Sequence, residues 1–128
     1  LKRFDIDVEV SFAELNWDSL MKMAAKHTVL YSELPKFQAV KRDLALLVDQ
    51  VVSFADIEKV ARESERKLLK EVYLFDVYEG KNLPEGKKSY AVSFILQDEN
   101  KTLNDKQIDA IMNKIIANLQ QKLEAQLR

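Results

Sequence analysis

The sequence contains no cysteine, only 2 glycines and 2 prolines, and a single histidine. Without cysteine the chain has no disulfide, thiolate ligand or cysteine nucleophile. This composition suits a reducing compartment, and we expect a cytoplasmic location. The scarcity of glycine and proline argues against a loop-dominated or disordered chain. Because no apolar run approaches the length of a bilayer span, we expect a soluble protein that has no membrane partner.

The chain also lacks an excess of positive or negative charge. The 20 Lys and Arg residues and 21 Asp and Glu residues give a net charge of -1, so no overall positive field attracts a polyanion. Any nucleic-acid binding must therefore be local. At 128 residues and 47% hydrophobic content, the chain has enough apolar material for one core plus a flanking segment. Its start lacks an initiator Met and a signal peptide, so we expect an excised fragment.

The first part of the chain predicts a strand and a short helix. Apolar residues alternate with acidic ones at the start, which is typical of a half-buried strand: Ile6, Val8 and Val10. Asn16 can cap a helix that carries Trp17 and Met23. The segment ends before Pro35, and we place a domain boundary near Tyr31.

The remaining chain predicts strand, helix, strand, strand, helix and a short last strand. Capping boxes at Ser53 with Asp56 and at Asn104 with Gln107 mark the two helix starts. This order indicates an α+β fold of the ferredoxin-like βαββαβ sandwich type, a four-stranded antiparallel sheet with two helices on one face. The predicted segments are residues 43–48, 54–67, 72–78, 89–97, a helix from 104 and a tail at 124–128.

Alternation along the strands predicts which side chains face the helices. We expect the bulkier set beneath them: Tyr73, Phe75, Val77, Tyr90, Val92, Phe94 and Leu96. The uncovered face then carries Asp76, Tyr78, Ser89, Ala91, Ser93 and Ala45. A tyrosine ring among small side chains, beside a carboxylate and a hydroxyl, suits a planar ligand such as a base. The alternative is a polar face that only meets water.

Several blocks of sequence carry a family resemblance. They lie at residues 35–44, 74–80, 86–89, 102–105 and 127–128, and the most specific contains Asp76-Val77-Tyr78-Glu79-Gly80. In this order they resemble the ferredoxin-fold anticodon-binding domain of bacterial phenylalanyl-tRNA synthetase. The resemblance covers the chain from about Leu30 to its last residue.

The resemblance implies an organisation and a set of partners. Residues 1–30 are then the end of a preceding module with its connector, and residues 31–128 are the anticodon-binding domain. In that family this domain is the last one of the beta subunit, so Arg128 would be the natural end of the chain. The expected partners are the anticodon arm of phenylalanine tRNA and, through the rest of the parent chain, the synthetase alpha subunit. ATP and Mg are expected for the parent enzyme, with no cofactor in this fragment.

The same resemblance implies a site. The first anticodon base, a guanine, would be splayed out and stacked on Tyr78, and Asp76 would accept hydrogen bonds from its N1–H and N2 amino group. Ser89 and Arg128 align with family positions near the same nucleotide.

Stacking on one ring cannot hold a tRNA, so cationic side chains must contact phosphates. The candidates are Lys36, Lys41 and Arg42 before the first strand, and Lys81, Lys87 and Lys88 in the hairpin loop. Each of them can equally be a solvated surface charge. Arg42 with Asp43 is more readily interpreted as a structural pair.

No motif combines a nucleophile, a base and an orienting group, and no set of residues has metal-ligand spacing. We therefore expect no catalytic residue and no metal site, and His27 has no second ligand nearby in sequence. The fragment should bind RNA so that the parent can act elsewhere. The alternative is a ferredoxin-like regulatory or protein-interaction domain without RNA binding.

Overall fold

The computed structural model describes residues 7–28, 30–31 and 33–128. The chain divides into two compact units, Leu1–Glu33 and Leu34–Arg128. Within the described ranges, no helix is both long and apolar enough to span a membrane.

The first unit contains one short helix, α1 (Trp17–Ala24). Asn16 caps it as predicted, because its side-chain oxygen accepts a hydrogen bond from the Ser19 amide at 2.9 Å. The predicted opening strand is wrong where it can be examined: Ile6 lies outside the described residues, and residues 7–10 form no strand. A strand needs a neighbour to pair with, and the described residues of this unit provide none.

The second unit is a four-stranded antiparallel sheet with strand order β2-β3-β1-β4. The consecutive strands β2 and β3 form a hairpin, whereas β1 pairs with β3 and β4, which are distant from it in sequence. This topology confirms the predicted ferredoxin-like α+β fold. The elements are β1 (Val40–Asp49), α2 (Phe54–Ser64), β2 (Leu69–Tyr78), β3 (Lys87–Leu96), α3 (Asp105–Leu123) and β4 (Gln126–Leu127).

The core lies between one face of the sheet and the two helices α2 and α3. Alternate residues of β1 and β3 point into it, including Leu46, Val92 and Phe94. Both helices contribute a stripe at helical spacing, so their apolar faces meet the same side of the sheet. The fully buried or nearly buried apolar helix residues are Ile57, Val60, Ala61, Ile108, Ile111, Met112, Ile115 and Leu119.

Helix α2 ends three residues earlier than predicted, at Ser64. The Glu65 carboxylate accepts hydrogen bonds from the amides of Lys67 and Leu68 at 3.0 and 3.1 Å, which replaces the helical turn with a local bend. Leu68 therefore joins the core from the approach to β2 rather than from a helix.

The end of α3 determines where the chain terminus lies. Glu124 adopts the left-handed conformation, with φ of 50°, and turns the chain out of the helix. Ala125 is buried directly after this turn, and β4 then pairs with the middle of β1. The reversal brings Arg128 beside Ala45, whose carbonyl accepts a hydrogen bond from the Arg128 amide at 3.0 Å.

Candidate nucleic-acid interface

One face of the sheet is turned away from α2 and α3, and we call it the open face. Its residues follow from the strand register, because directly paired residues of an antiparallel sheet project to the same side. On β1 and β3 they alternate with the core residues. The open face includes Lys41, Asp43, Ala45, Leu47, Tyr73, Phe75, Asp76, Tyr78, Ser89, Ala91, Ser93, Ile95 and Arg128.

A β-bulge in β2 changes the predicted face of two aromatic residues. The register shifts between Leu74 and Asp76, so two residues of β2 oppose one of β3 at this point. Before the shift, Tyr73 pairs with Ser93 on the open face. The Phe75 ring lies on the same face, because it is close to the Lys41 ammonium. The prediction that Tyr73 and Phe75 face the helices is therefore wrong.

Beyond the bulge the predicted alternation holds. Asp76 pairs with Ala91 and Tyr78 pairs with Ser89, so all four lie on the open face. Val77 pairs with the core residue Tyr90 on the other side. The bulge thus lets one strand present Phe75, Asp76 and Tyr78 to the same side, which regular alternation cannot do.

The surroundings of Asp76 are small and leave its carboxylate accessible. Its cross-strand neighbour is Ala91, which is itself paired with Ala45. Among the described residues Asp76 is exposed and takes part in no ion pair. Its acceptor oxygens are therefore available to hydrogen-bond donors of a ligand.

Tyr78 and Ser89 form the next row along the open face. The Tyr78 side chain is partly exposed, at 39%, whereas Ser89 is almost covered, at 6%. Arg128 reaches across the sheet from the β4 end, and its guanidinium carbon lies 5.6 Å from the centre of the Tyr78 ring. This distance is within the range of a cation–π contact. The sequence candidates Asp76, Tyr78, Ser89 and Arg128 are therefore brought together in one patch.

Gly80 leaves room for the Tyr78 ring because it has no side chain. A Cβ atom on Gly80 would lie 2.5 Å from the Tyr78 hydroxyl oxygen and 2.7 Å from the carbon that bears it. Both distances are too short for contact, so any larger residue would displace the ring. Gly80 thus contributes to the position of the stacking surface, beyond the turn formation that the sequence indicated.

A second cluster lies further along the open face, around Lys41. The Lys41 ammonium is 5.4 Å from the Tyr73 ring centre and 5.5 Å from that of Phe75. It also lies 3.5 Å from the Asp43 carboxylate, which accepts a hydrogen bond from the Ser93 hydroxyl. The expected pairing of Arg42 with Asp43 is wrong, because consecutive strand residues point to opposite faces and Asp43 pairs with Lys41.

The electrostatics of this cluster keep Lys41 charged. Hydrogen bonding to the Tyr73 hydroxyl, and then the nearby Asp43 carboxylate, raise the pKa of Lys41 despite some opposing desolvation. The Lys41 ammonium in turn lowers the pKa of the Tyr73 phenol, with a further contribution from the Ser93 hydroxyl. At neutral pH the cluster therefore presents a cation beside two aromatic rings.

The other cationic candidates are placed differently. Lys36 is exposed in the approach to β1, and the Arg42 guanidinium donates to the Lys41 carbonyl at 3.1 Å. Lys87 and Lys88 belong to β3 rather than to the hairpin loop. Lys87 is paired with Asp49 at 2.7 Å.

Lys88 lies on the helix side of the sheet. Only 9% of it is exposed, and its ammonium lies 4.8 Å from the centre of the Tyr90 ring. Register explains this placement, since Lys88 pairs with the core residue Val48. Lys88 therefore does not line the open face.

The sequence contained one signal for the missed placement of Tyr73 and Phe75. Aromatic rings at positions 73, 75 and 78 cannot share one face of a regular strand, because the separation of 75 from 78 is odd. Such a break in alternation is compatible with a bulge but does not locate it. The close approach of Gly80 to Tyr78 has no counterpart in the sequence pattern.

Comparison with known proteins identifies the fold family. A family model described as "Ferredoxin-fold anticodon binding domain" matches residues 35–128. Proteins named "Phenylalanine--tRNA ligase beta subunit" from Bacteroides fragilis, Porphyromonas gingivalis and Clostridium tetani are 66%, 63% and 46% identical to the chain over 128 residues. These alignments cover 100% of this chain and 16% of each relative. The chain therefore belongs to the family of ferredoxin-fold anticodon-binding domains.

Proposed function

We propose that the chain binds the anticodon stem-loop of phenylalanine tRNA as the C-terminal part of a phenylalanyl-tRNA synthetase beta subunit. The observation that carries this proposal is the convergence of Asp76, Tyr78, Ser89 and Arg128 on one patch of the open face, in which Asp76 and Tyr78 are accessible. Binding there positions the tRNA for aminoacylation at an active site elsewhere in the parent enzyme.

The chemistry of the patch suits a splayed guanine. The Tyr78 ring offers a stacking surface, which is worth on the order of 1–3 kcal/mol per base. Asp76 accepts hydrogen bonds from the two donor groups on the guanine Watson–Crick edge, whereas adenine presents an acceptor at N1. Ala91 and Ala45 leave room for a base to approach the sheet closely. Ser89 and Arg128 supply further polar contacts to the same nucleotide.

Phosphate contacts come from cations around this patch. Lys41 lies on the open face, Lys36 is exposed before β1, and Lys81 is exposed in the loop between β2 and β3. Lys87 and Arg42 are partly engaged by protein partners and contribute less. Lys88 is left out of this surface because it lies on the helix side.

The remaining parts of the proposal concern the parent enzyme. Residues 1–30 are assigned to the end of a preceding module and its connector, and the alpha subunit is reached through other parts of the beta subunit. ATP and Mg are assigned to the parent enzyme, as the family resemblance implies, and no cofactor is assigned to this chain. The parent is placed in the cytoplasm, where tRNA is charged.

Titration of the 128-residue chain with a fluorescently labelled phenylalanine anticodon stem-loop tests the function. We expect the wild-type chain to prefer guanine over adenine at the first anticodon position. Replacing Tyr78 with Ala should weaken binding of every loop by about fivefold or more, because a stacking surface is lost. Tyr78→Phe retains the ring and serves as the matched control, with affinity close to wild type.

Two results would contradict the proposal. One is equal affinity of the wild-type chain for the guanine and adenine loops. The other is an unchanged affinity of Tyr78→Ala for both. Either result would favour a regulatory or protein-interaction role for the same fold.

A further inference from the structure

Two aromatic rings on the open face are left unused by the guanine site. Phe75 is 54% exposed and Tyr73 is 37% exposed. Phenylalanine is normally buried, so an exposed ring beside a second aromatic residue marks a surface with a potential partner. Both rings lie on β2 with Asp76 and Tyr78, and the surface around them is therefore continuous with the proposed guanine site.

The bulge is the structural reason that Phe75 and Asp76 share the open face. In a regular strand, alternation after Tyr73 and Leu74 would keep Phe75 on the open face and turn Asp76 toward the helices. Bulges often serve to re-aim a side chain next to a functional site. Here a single bulge brings an aromatic ring and the guanine-reading carboxylate to the same side.

Lys41 gives this pair of rings a cationic partner. Its ammonium lies about equally far from both ring centres, at 5.4 and 5.5 Å, and is held on a flexible side chain that is half exposed. Asp43 balances the charge locally, so the cluster as a whole is not a strong anion attractor. Stacking must then dominate binding, with one phosphate contact added by Lys41.

From these contacts we infer that Lys41, Tyr73 and Phe75 form a second nucleotide subsite, which stacks one further unpaired base of the anticodon loop and contacts its phosphate. The inference rests on the proposed function. An apolar protein segment fits this surface less well, because Lys41, Asp43 and Asp76 surround the rings with charge. A single-stranded nucleotide supplies both a flat apolar base and an anion.

The distance between Phe75 and Tyr78 limits how the two bases can be arranged. Phe75 and Tyr78 are three residues apart, and the bulge at Phe75 shortens the regular strand spacing of about 10 Å to about 7–10 Å. Stacked bases rise only about 3.4 Å per nucleotide, so the two subsites cannot hold directly stacked neighbours. The second base must be splayed from the loop, as is common where proteins recognise unpaired RNA.

The experiment uses the 128-residue chain and stem-loops that carry the fluorescent base 2-aminopurine at one unpaired position at a time, with the first anticodon guanine kept. Stacking on an aromatic side chain changes the 2-aminopurine fluorescence. We expect one position to change when the wild-type chain binds, and Phe75→Leu to remove this change and weaken binding by about fivefold or more. Phe75→Tyr keeps an aromatic ring and should behave as wild type.

The phosphate contact has its own test. Lys41→Met should reduce the slope of log affinity against log salt by about 0.7, the value for one phosphate on a single strand. Lys114→Met is the matched control, because Lys114 is exposed on α3, on the other side of the sheet. Equal slopes for the two variants would overturn the assignment of Lys41.

The outcomes separate this inference from the proposed function. Suppose that the wild-type chain prefers guanine and that Tyr78→Ala weakens binding. If Phe75→Leu then shows the affinity and the 2-aminopurine fluorescence change of the wild type, the second subsite is refuted and the guanine site stands. If the wild-type chain shows no preference for guanine, the proposed function fails as well. Unfolding by urea should show the same stability for Phe75→Leu and Phe75→Tyr, which excludes misfolding as the cause of lost binding.

Discussion

Replacement of Asp76 by Asn is the most informative change to the guanine site. The two side chains have nearly the same shape, so packing against Ala91 is preserved. The chemistry differs, because a carboxylate has two acceptor oxygens whereas a carboxamide has one acceptor and one donor group. Asp76 is exposed, and a substitution at such a position should change the free energy of unfolding by no more than about 0.5 kcal/mol.

The magnitude follows from the hydrogen bonds that are lost. Guanine presents N1–H and the N2 amino group, and the Asn amide can accept from only one of them while its own N–H group opposes the other. A hydrogen bond to a charged group is worth about 1.5–3 kcal/mol, which corresponds to about 10- to 150-fold in affinity. The exposure of Asp76 to water favours the lower end of this range, about tenfold.

Adenine should respond in the opposite direction. Its N1 accepts and its N6 amino group donates, which matches the carboxamide of Asn and not the carboxylate of Asp. We therefore expect Asp76→Asn to weaken the guanine loop, to strengthen the adenine loop, and to leave an inosine loop between them. Inosine keeps N1–H and lacks the N2 amino group, so it reports on one donor alone.

The assay is a parallel titration of wild type and Asp76→Asn with the guanine, inosine and adenine stem-loops at one salt concentration. The measured quantity is the ratio of guanine to adenine affinity. A ratio that is the same in both proteins would show that Asp76 does not contact the base edge. Equal weakening of all three loops would refute base reading too, since it indicates a general effect on the surface.

Three further predictions concern the support of the site and the fold. Gly80→Ala should weaken binding of every stem-loop without changing guanine preference, because its Cβ displaces the Tyr78 ring; unchanged affinity would contradict this. Phe94→Ala removes a fully buried ring, so we expect a loss of about 3–5 kcal/mol in the free energy of unfolding, measured in urea, and a smaller loss would mean that the core collapses into the space. The Lys122 ammonium lowers the pKa of Glu63 across the α2–α3 contact, so the stability from this pair is present above the ordinary Glu pKa and is lost as pH falls through the lowered value. Glu63→Gln should therefore destabilise the chain at neutral pH and match wild type in acid, and a constant difference at all pH values would exclude the pair as the cause.

Much of the fold could be predicted from local sequence patterns. The capping boxes at Ser53 and Asn104 locate the starts of α2 and α3, since each satisfies amides that the helix itself leaves free. Alternation in β3 identifies its core face, because every second residue from Tyr90 to Leu96 is buried. The placement of Asp76, Tyr78 and Ser89 on one face also followed from alternation, aided by the family motif.

The errors concern contacts that the periodicity of a single segment does not reveal. The end of α2 depends on the Glu65 carboxylate bending back to the Leu68 amide, and the partner of Asp43 depends on the face to which Lys41 points. The opening strand was predicted from alternation alone, which describes how a strand would present its side chains but not whether a partner strand exists. Lys88 was assigned to the hairpin loop because the strand was predicted to begin at Ser89, whereas β3 begins at Lys87.

The sequence by itself determined the type and order of the elements, the apolar stripes of the helices and the membership of a family motif, since these depend on residues within a few positions of one another. Tertiary structure alone decided the bulge in β2, the exposure of Tyr73 and Phe75, and the reach of Arg128 to the Tyr78 ring. The physical reason is that register belongs to a pair of strands. One extra residue in β2 moves every later side chain to the opposite face, and its position is set by the hydrogen bonds with β3 rather than by β2 itself.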